Sequence, residues 1–397
     1  MNRFILFSIL AAIMLLPAAS SAEVGVTDKE IKVGMSTALS GATGFLGTSF
    51  RSGIASYISQ VNASGGVNGR KIRLIVYDDQ YEPENTTVLV RKLIFEDKVF
   101  CLLGNLGTAT TAAILPLLEE NKVPLFAPFS GADSLRQPVK RYLLHYRPSY
   151  SQEIEVLIKG VVDVLGFKKV AVFYQDDGFG KAVLEGTELA LERRGLSPVA
   201  TGTYTRNFED ITSAMETIMA AKPHVVVVGG VYSASAKFIR SWKSKAVHKG
   251  SPKDLDPVFL NLSVVGPDRF AKLLDSYGYG VVVTQVVPPF SSGGQNLAAV
   301  NEYLSAVGAS EGAANYGGLE GYLTSKVFVH ILTLAGKNLT RETFVETAES
   351  IRNLDIQAGN SISFSPSNHQ GSQTVYPTVL MNSEFAPITD WHLIRTP

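Results

Sequence analysis

From Glu30 onward, apolar and polar positions change period repeatedly between two and about three and a half, the mark of strands alternating with helices. Ile31–Met35 alternates as a strand, and Phe50, Ile54, Tyr57, Ile58 and Val61 then fall on one helical face. Gly65-Gly66-Val67-Asn68-Gly69 predicts a turn before a strand through Ile72, Leu74 and Val76. Apolar runs at Val99–Leu103 and Val123–Ala127 predict two more strands, separated by a helix over Thr108–Lys122. A second series follows, with strands at Lys169–Tyr174, Val199–Thr203, Val225–Gly229, Val258–Leu260 and Val281–Val287. Helices near 151–165, 180–194, 208–221, 233–247 and 267–277 lie between and around them. The run Val225-Val226-Val227-Val228 is apolar throughout, as a central parallel strand covered on both faces requires.

Three further helices, over Leu297–Val307, Gly318–Gly336 and Arg341–Ser350, have no buried strand of their own. They are expected to return and cover the first series, and the tail at Ile362–Ile394 to form short strands. The fold class predicted is α/β, two doubly wound parallel-sheet lobes joined by a multi-segment hinge. Crossings are placed near Tyr146–Tyr150, Pro288–Ser292 and Asp355–Ser361. Lobe 1 is then 23–148 plus 289–357, and lobe 2 is 149–288 plus 358–397. Several short crossings make a hinge, and a hinge implies closure about a ligand.

Composition narrows the setting. At 397 residues the chain exceeds one core, and 45% hydrophobic with 18% charged residues is ordinary for a folded protein. Basic and acidic residues balance at 36 each, which argues against nucleic acid as a partner. Residues 1–22 combine Asn2-Arg3, the apolar run Phe4–Leu16 and the small residues Ala18–Ala22, the pattern of a signal peptide cleaved near Ala22. No cysteine stands at that cut, so a lipid anchor is not indicated. The single cysteine, Cys101, lies inside an apolar strand and reads as a small buried hydrophobe. An exported chain without disulfides fits a bacterial periplasm best, although Asn-x-Ser/Thr tripeptides at Asn62, Asn85, Asn261 and Asn338 leave a eukaryotic surface open.

Candidate chemistry concentrates at two turns that follow strands. Leu106-Gly107-Thr108 and Ser130-Gly131 carry small and hydroxylated residues where a sheet edge meets a helix N-terminus, whose free N–H groups suit an anionic ligand group. Such edges are where open α/β folds bind ligands. The adjacent acids Asp78-Asp79 and Asp176-Asp177 point in different directions, so they read as solvated turn or cap carboxylates rather than a catalytic pair. The six histidines show no metal spacing, and no nucleophile elbow, Walker loop or dinucleotide fingerprint appears. Neither an enzyme nor a cofactor is expected.

The order of elements, with the residues at their junctions, resembles the branched-chain amino-acid type of periplasmic solute-binding protein, the type I fold of ABC importers. Matching stretches are Ile31-Lys32-Val33-Gly34, Leu39-Ser40-Gly41, Val61–Ile72, Asp78-Asp79 with Pro83, the Leu103-Gly104 to Thr108 turn, Val123-Pro124 and Tyr174–Gly180. The resemblance implies that a ligand carboxylate is held by Thr108, Ser130 and the backbone around Leu106, Gly107 and Gly131. It implies that Phe179 and Tyr232 close from lobe 2, that Phe45 or Leu46 lines the mouth, and that Tyr150 and Ser263 complete the site. It also implies an ABC permease in the inner membrane as partner and a monomeric working form. Where amino-acid binders of the family place an acid after the 258–262 strand, this chain has Ser263, with Asp268 several residues on. An α-amino acid and a carboxylate lacking an ammonium group both stay open, because a buried ammonium needs a partner. A sensory subunit that presents its closed form to a membrane receptor is the alternative reading.

Overall fold

The computed structural model describes residues 23–248, 256–290, 296–308 and 314–395. The expected signal peptide, and Ser291-Ser292 of the second expected crossing, lie outside the described residues. The first lobe is built as β1 (Glu30–Thr37), α1 (Gly44–Ala63), β2 (Lys71–Asp78), α2 (Pro83–Phe95), β3 (Cys101–Leu103), α3 (Thr108–Glu120), β4 (Leu125–Phe126) and β5 (Leu143–Leu144). These strands form one parallel sheet in the order β2-β1-β3-β4-β5. The order reverses direction beside β1, so β1 and β3 diverge at the carboxyl edge and leave a crevice there. The two-residue edge strand β5 was not among the expected strands. Its apolar signal is only Leu143-Leu144 and carries no period.

The second lobe continues through α4 (Tyr150–Ile158), β6 (Val170–Gln175), α5 (Gly178–Glu192), β7 (Ala200–Tyr204), α6 (Thr212–Ala220), β8 (Val225–Gly229), α7 (Tyr232–His248), β9 (Val258–Asn261), α8 (Pro267–Leu274) and β10 (Val282–Gln285). Ser149 caps α4 by accepting from the Gln152 N–H, and one turn of π-helix extends it over Lys159–Val164. Strand β8 is buried at every residue, as its unbroken valine run predicted.

The chain then adds α9 (Ala298–Val307), α10 (Tyr316–Ala335), α11 (Arg341–Ser350), a small ribbon of β11 (Leu354–Asp355) and β12 (Ser361–Ile362), and finally β13 (Tyr376–Met381) and β14 (Glu384–Pro387). The last pair joins the second sheet antiparallel, giving the order β14-β13-β10-β9-β8-β6-β7. Helix α10 returns to the first lobe and lies against α1 at glycine contacts. A Cβ on Gly53 would stand 1.8 Å from the Gly318 carbonyl oxygen, and one on Gly321 would stand 2.1 Å from that of Phe50. Only glycine lets the two backbones approach so closely.

One expected boundary is displaced. Residues 358–372, expected in lobe 2, run along the first lobe instead. Phe364 packs on Phe126 with ring centroids 6.2 Å apart, and the Ser372 N–H donates to the Tyr146 oxygen at 2.8 Å. The chain reaches the second sheet only with β13. Ile362 and Phe364 are buried there, and so short an apolar pair cannot announce which of two cores it will join. Cys101 is fully buried and unpaired, and burial pushes its thiol well above the ordinary range, which makes it inert. No helix among the described residues is long and apolar enough to cross a membrane.

Candidate functional site

The two turns singled out in the sequence meet. Past the ends of β3 and β4 the backbones stay paired, with Phe129 N–H on the Asn105 oxygen at 2.7 Å and Gly107 N–H on the Phe129 oxygen at 3.2 Å. That pairing brings the Thr108 and Ser130 hydroxyls to 2.7 Å of each other, both buried. Gly107 precedes α3 with φ +105°, and a Cβ on it would stand 2.3 Å from the Tyr81 ring. The position therefore demands glycine twice over, for its backbone angle and for its neighbour. Thr108 begins α3 without capping it by its side chain, so its hydroxyl serves the Ser130 pair rather than its own helix. The N–H groups of that first turn have no intrahelical acceptor.

Beside this pair lies a cavity of about 20 Å³ between the lobes, lined by Leu46, Leu106, Gly107, Tyr150 and Phe179 together with Phe129. Tyr150 and Phe179 stack edge to face at 5.5 Å, and the Gly131 oxygen accepts from the Tyr150 N–H at 2.7 Å. A neighbouring cavity of about 10 Å³ shares Leu46 and Phe129 and adds Phe45, Ser263, Asp268 and Glu320. At the mouth, Tyr232 meets Phe45 edge to face at 6.1 Å, and its hydroxyl accepts from the Phe45 N–H at 3.4 Å. Of the expected residues, Leu46, Leu106, Gly107, Tyr150 and Phe179 line the first cavity, Phe45, Leu46 and Ser263 the second, and Tyr232 the mouth. Thr108, Ser130 and Gly131 line neither cavity and lie next to Gly107 and Tyr150.

Sequence reasoning missed the charged floor. Arg147, in the first crossing, makes a bidentate pair with Glu320 of α10 at 2.8 Å for both bonds, and also donates to the Ser263 hydroxyl at 3.1 Å. Glu153 of α4 accepts from the Ser263 N–H at 2.9 Å and from its hydroxyl at 3.1 Å. Arg147 also stands over the Phe129 ring at 4.5 Å. These side chains are 173 and 116 residues apart in pairs, so no local spacing could signal them. Burial pushes the Glu320 carboxyl up while Arg147 draws it down, leaving it above the ordinary range. Asp268 is pushed up to about 6 by burial, against the pull of the Tyr316 N–H that donates to it at 2.9 Å.

The floor bears on the expected lack of an acid after β9, because Asp268 and Glu320 line the same cavity as Ser263, Glu320 being paired with Arg147. The reading of the paired acids needs one correction. Asp177 caps α5 through the Phe179 and Gly180 N–H groups, as expected. Asp79 is buried, accepting from Ser36, Thr86 and the Tyr81 N–H, and is not solvated. It fixes the turn that carries Tyr81 and Glu82 toward the second lobe. There Glu82 accepts from Asn207 at 2.7 Å and from Arg206 at 3.2 Å, while Gln175 donates to the Tyr81 hydroxyl at 3.4 Å.

Comparison with known proteins agrees with this architecture. A family model described as periplasmic binding protein matches residues 30–383. The amino acid binding protein of Pseudomonas aeruginosa is 24% identical over 218 residues, which is 55% of this chain and 58% of that protein. The chain thus spans little more than half the length of the first curated relatives it matches. A possible leucine/isoleucine/valine-binding protein from Rhodopirellula baltica superposes with a TM-score of 0.83 at 28% identity, over 95% of this chain and 100% of that one. A fatty acid ABC transporter substrate-binding protein from Thermomonospora curvata superposes at 0.81 with 21% identity, over 92% and 93%. The chain belongs to the periplasmic binding protein family and has its two-lobed type I fold.

Proposed function

We propose that the protein captures a small carboxylate-bearing ligand between its lobes in the periplasm and delivers it, as a monomer, to an ABC permease of the inner membrane. The observation that carries this reading is the Thr108–Ser130 hydroxyl pair beside the N-terminus of α3, at the carboxyl edge of a parallel sheet and walled by apolar and aromatic side chains from both lobes. Hydroxyls and free backbone N–H groups favour an oxyanion, and the apolar walls favour an aliphatic or aromatic body.

The closed geometry also supports a mechanism. Cavities of about 20 and 10 Å³ are each the size of one water. A ligand of amino-acid size exceeds both and reaches them when the lobes part, while an open pocket of about 1050 Å³ lined by Phe45, Tyr232 and Asp268 lies at their mouth. The ligand then contacts both lobes only when they return, so it shifts the open–closed equilibrium toward closure by its differential affinity. At the rim the interlobe bonds are partly exposed, as between Glu82 and Arg206 with Asn207, which suits a reversible step there.

The fold itself does not choose the ligand, since a relative named for amino acids and a structural neighbour named for fatty acids share it. The lining does. Asp268 is a carboxylate whose pairing in the closed cleft is a backbone N–H and the pull of Lys272, and a ligand ammonium would relieve its burial. An α-amino acid with an apolar side chain is the ligand class this favours. A thermal-shift panel of amino acids and their deaminated acids tests it, because a ligand at 100 times its Kd adds about 2.7 kcal/mol. Response to amino acids alone supports the Asp268 role. Response to deaminated acids alone removes it, and the Thr108–Ser130 reading then stands by itself.

A further inference from the structure

Tyr81 was not among the residues expected at the site, yet it lines the cavity of about 20 Å³ together with Phe179, Val231 and Val264 of the second lobe. A turn with an unusual backbone brings it there. Gln80 and Tyr81 stand at φ +56° and +62°, two successive left-handed residues that are not glycine. Such angles persist only where the surrounding structure over-determines them. Buried Asp79 does so, accepting from the Tyr81 N–H at 3.0 Å and from the Ser36 and Thr86 hydroxyls at 2.8 and 3.0 Å. The Tyr81 ring then lies against Gly107, in the turn that leads to Thr108, where a Cβ would stand 2.3 Å from it.

Other neighbours of this side chain belong to the second lobe. Gln175 Nε2 donates to its hydroxyl at 3.4 Å, and the Arg206 guanidinium stands over its ring at 5.8 Å. Arg206 is partly exposed and pairs with Glu82 at the rim at 3.2 Å, whereas Tyr81 is buried. The ring therefore stands between the cavity and the rim. The two cavities of the cleft also differ in chemistry. They share Leu46 and Phe129; beyond that pair, one holds Ser263, Asp268 and Glu320, while the other holds only apolar, aromatic and glycine residues, Tyr81 among them. A ligand whose carboxylate meets the Thr108 turn places its apolar body in this second, apolar part.

Resting on the capture of an apolar carboxylate argued above, we propose that Tyr81 is a specificity-determining residue whose ring is the end wall limiting the length of the ligand's apolar body. The Gln175 bond holds that wall in place when the lobes are closed. Each methylene that fits in front of the ring adds apolar burial. The first that does not fit must drive the ring toward Gly107 and Arg206, and the turn at Asp79 resists that displacement.

The test measures calorimetric affinity for two unbranched series of increasing length, the L-2-amino acids from aminobutyrate to aminooctanoate and the plain acids from butanoate to octanoate. The unaltered protein is expected to bind best at one length and more weakly beyond it. Tyr81→Ala should move that optimum to a chain about two carbons longer and raise the long-to-short affinity ratio about tenfold, as burial of two further methylenes implies. Tyr81→Phe keeps the wall, so the optimum should stay while every chain weakens alike, by no more than about tenfold, with loss of the Gln175 bond. An optimum left in place by Tyr81→Ala, with all chains weakened equally, makes Tyr81 a purely structural residue and overturns the proposal. So does an optimum that Tyr81→Phe moves as far as Tyr81→Ala does. Should Tyr81→Ala fail to fold, Tyr81→Leu is expected to move the optimum by about one carbon and decides the question in its place. Binding of no member of either series by the unaltered protein would contradict the capture of an apolar carboxylate itself and take this assignment with it, an outcome distinct from an unmoved optimum.

Discussion

Replacing Thr108 by Val removes one hydroxyl and keeps the shape. The Ser130 hydroxyl loses the partner it holds at 2.7 Å, so stability falls by about 1–2 kcal/mol, and the ligand carboxylate loses a donor. We expect affinity to drop about tenfold or more with the protein still folded, as calorimetry of binding and unfolding would show. Unchanged affinity would take Thr108 out of the site. Asp268 gives a prediction in pH. Burial pushes its carboxyl up to about 6 against an ordinary 3.8, so between those values the folded form holds a proton that the unfolded form has shed. Its contribution is therefore greatest below about pH 4 and is lost as pH rises through 6. Asp268→Asn should flatten the pH dependence of the melting midpoint over that window and raise the midpoint at pH 7. If the ligand carries an ammonium group, the same change should weaken binding; intact binding of an α-amino acid would exclude Asp268 as its partner. At this scale the hydroxyl turns were legible because strand, glycine and Thr or Ser are consecutive. The Arg147–Glu320 pair was not, since neither residue carries a local pattern and each meets the other only after the lobe closes on itself.

Among the elements, the contact of α1 with α10 bears most directly on lobe 1. Gly53→Ala places a methyl where the Gly318 oxygen stands, 1.8 Å away, and must push one helix off the other. Overpacking of this kind costs about 1–3 kcal/mol or more. For a cooperative unit of this size that is about 2–4 °C in melting midpoint for each kcal/mol, readable by calorimetry. A midpoint unchanged within about 1 °C would contradict the close approach. Long elements were well expressed in sequence: β8 and α11 occupy the residues expected of them, and α10 differs by a residue or two at its ends. Short ones were not. Strand β5 offers two leucines, and β12 with Phe364 offers an apolar pair that either lobe could have used. Periodicity needs length to speak, and which core an element joins is decided by packing far away in sequence.

For the molecule as a whole, closure combines buried bonds, Arg147 to the Ser263 hydroxyl and the Tyr316 N–H to Asp268, with a partly exposed cluster at the rim. Glu82 and Arg206 are 38% and 20% exposed, so their ion pair with its Asn207 bond contributes about 0.2–1 kcal/mol to the closed form. Glu82→Ala should accordingly weaken ligand binding by no more than about fivefold, by making closure less favourable, and leave the ligand's own contacts intact. A loss of a hundredfold in calorimetry would mean that Glu82 touches the ligand. Near the first crossing, residues 144–146 and 369–372 are also joined by backbone bonds, among them the His145 N–H to the His369 oxygen and the Gly371 N–H to the His145 oxygen. The measurement that tests the central claim most directly is small-angle scattering of the chain from Glu23, with and without a saturating ligand found by calorimetry. Capture between lobes predicts a smaller radius of gyration with ligand, approaching the closed form described above, and no such compaction in a variant that does not bind. A tight ligand that leaves the radius of gyration unchanged would contradict the account.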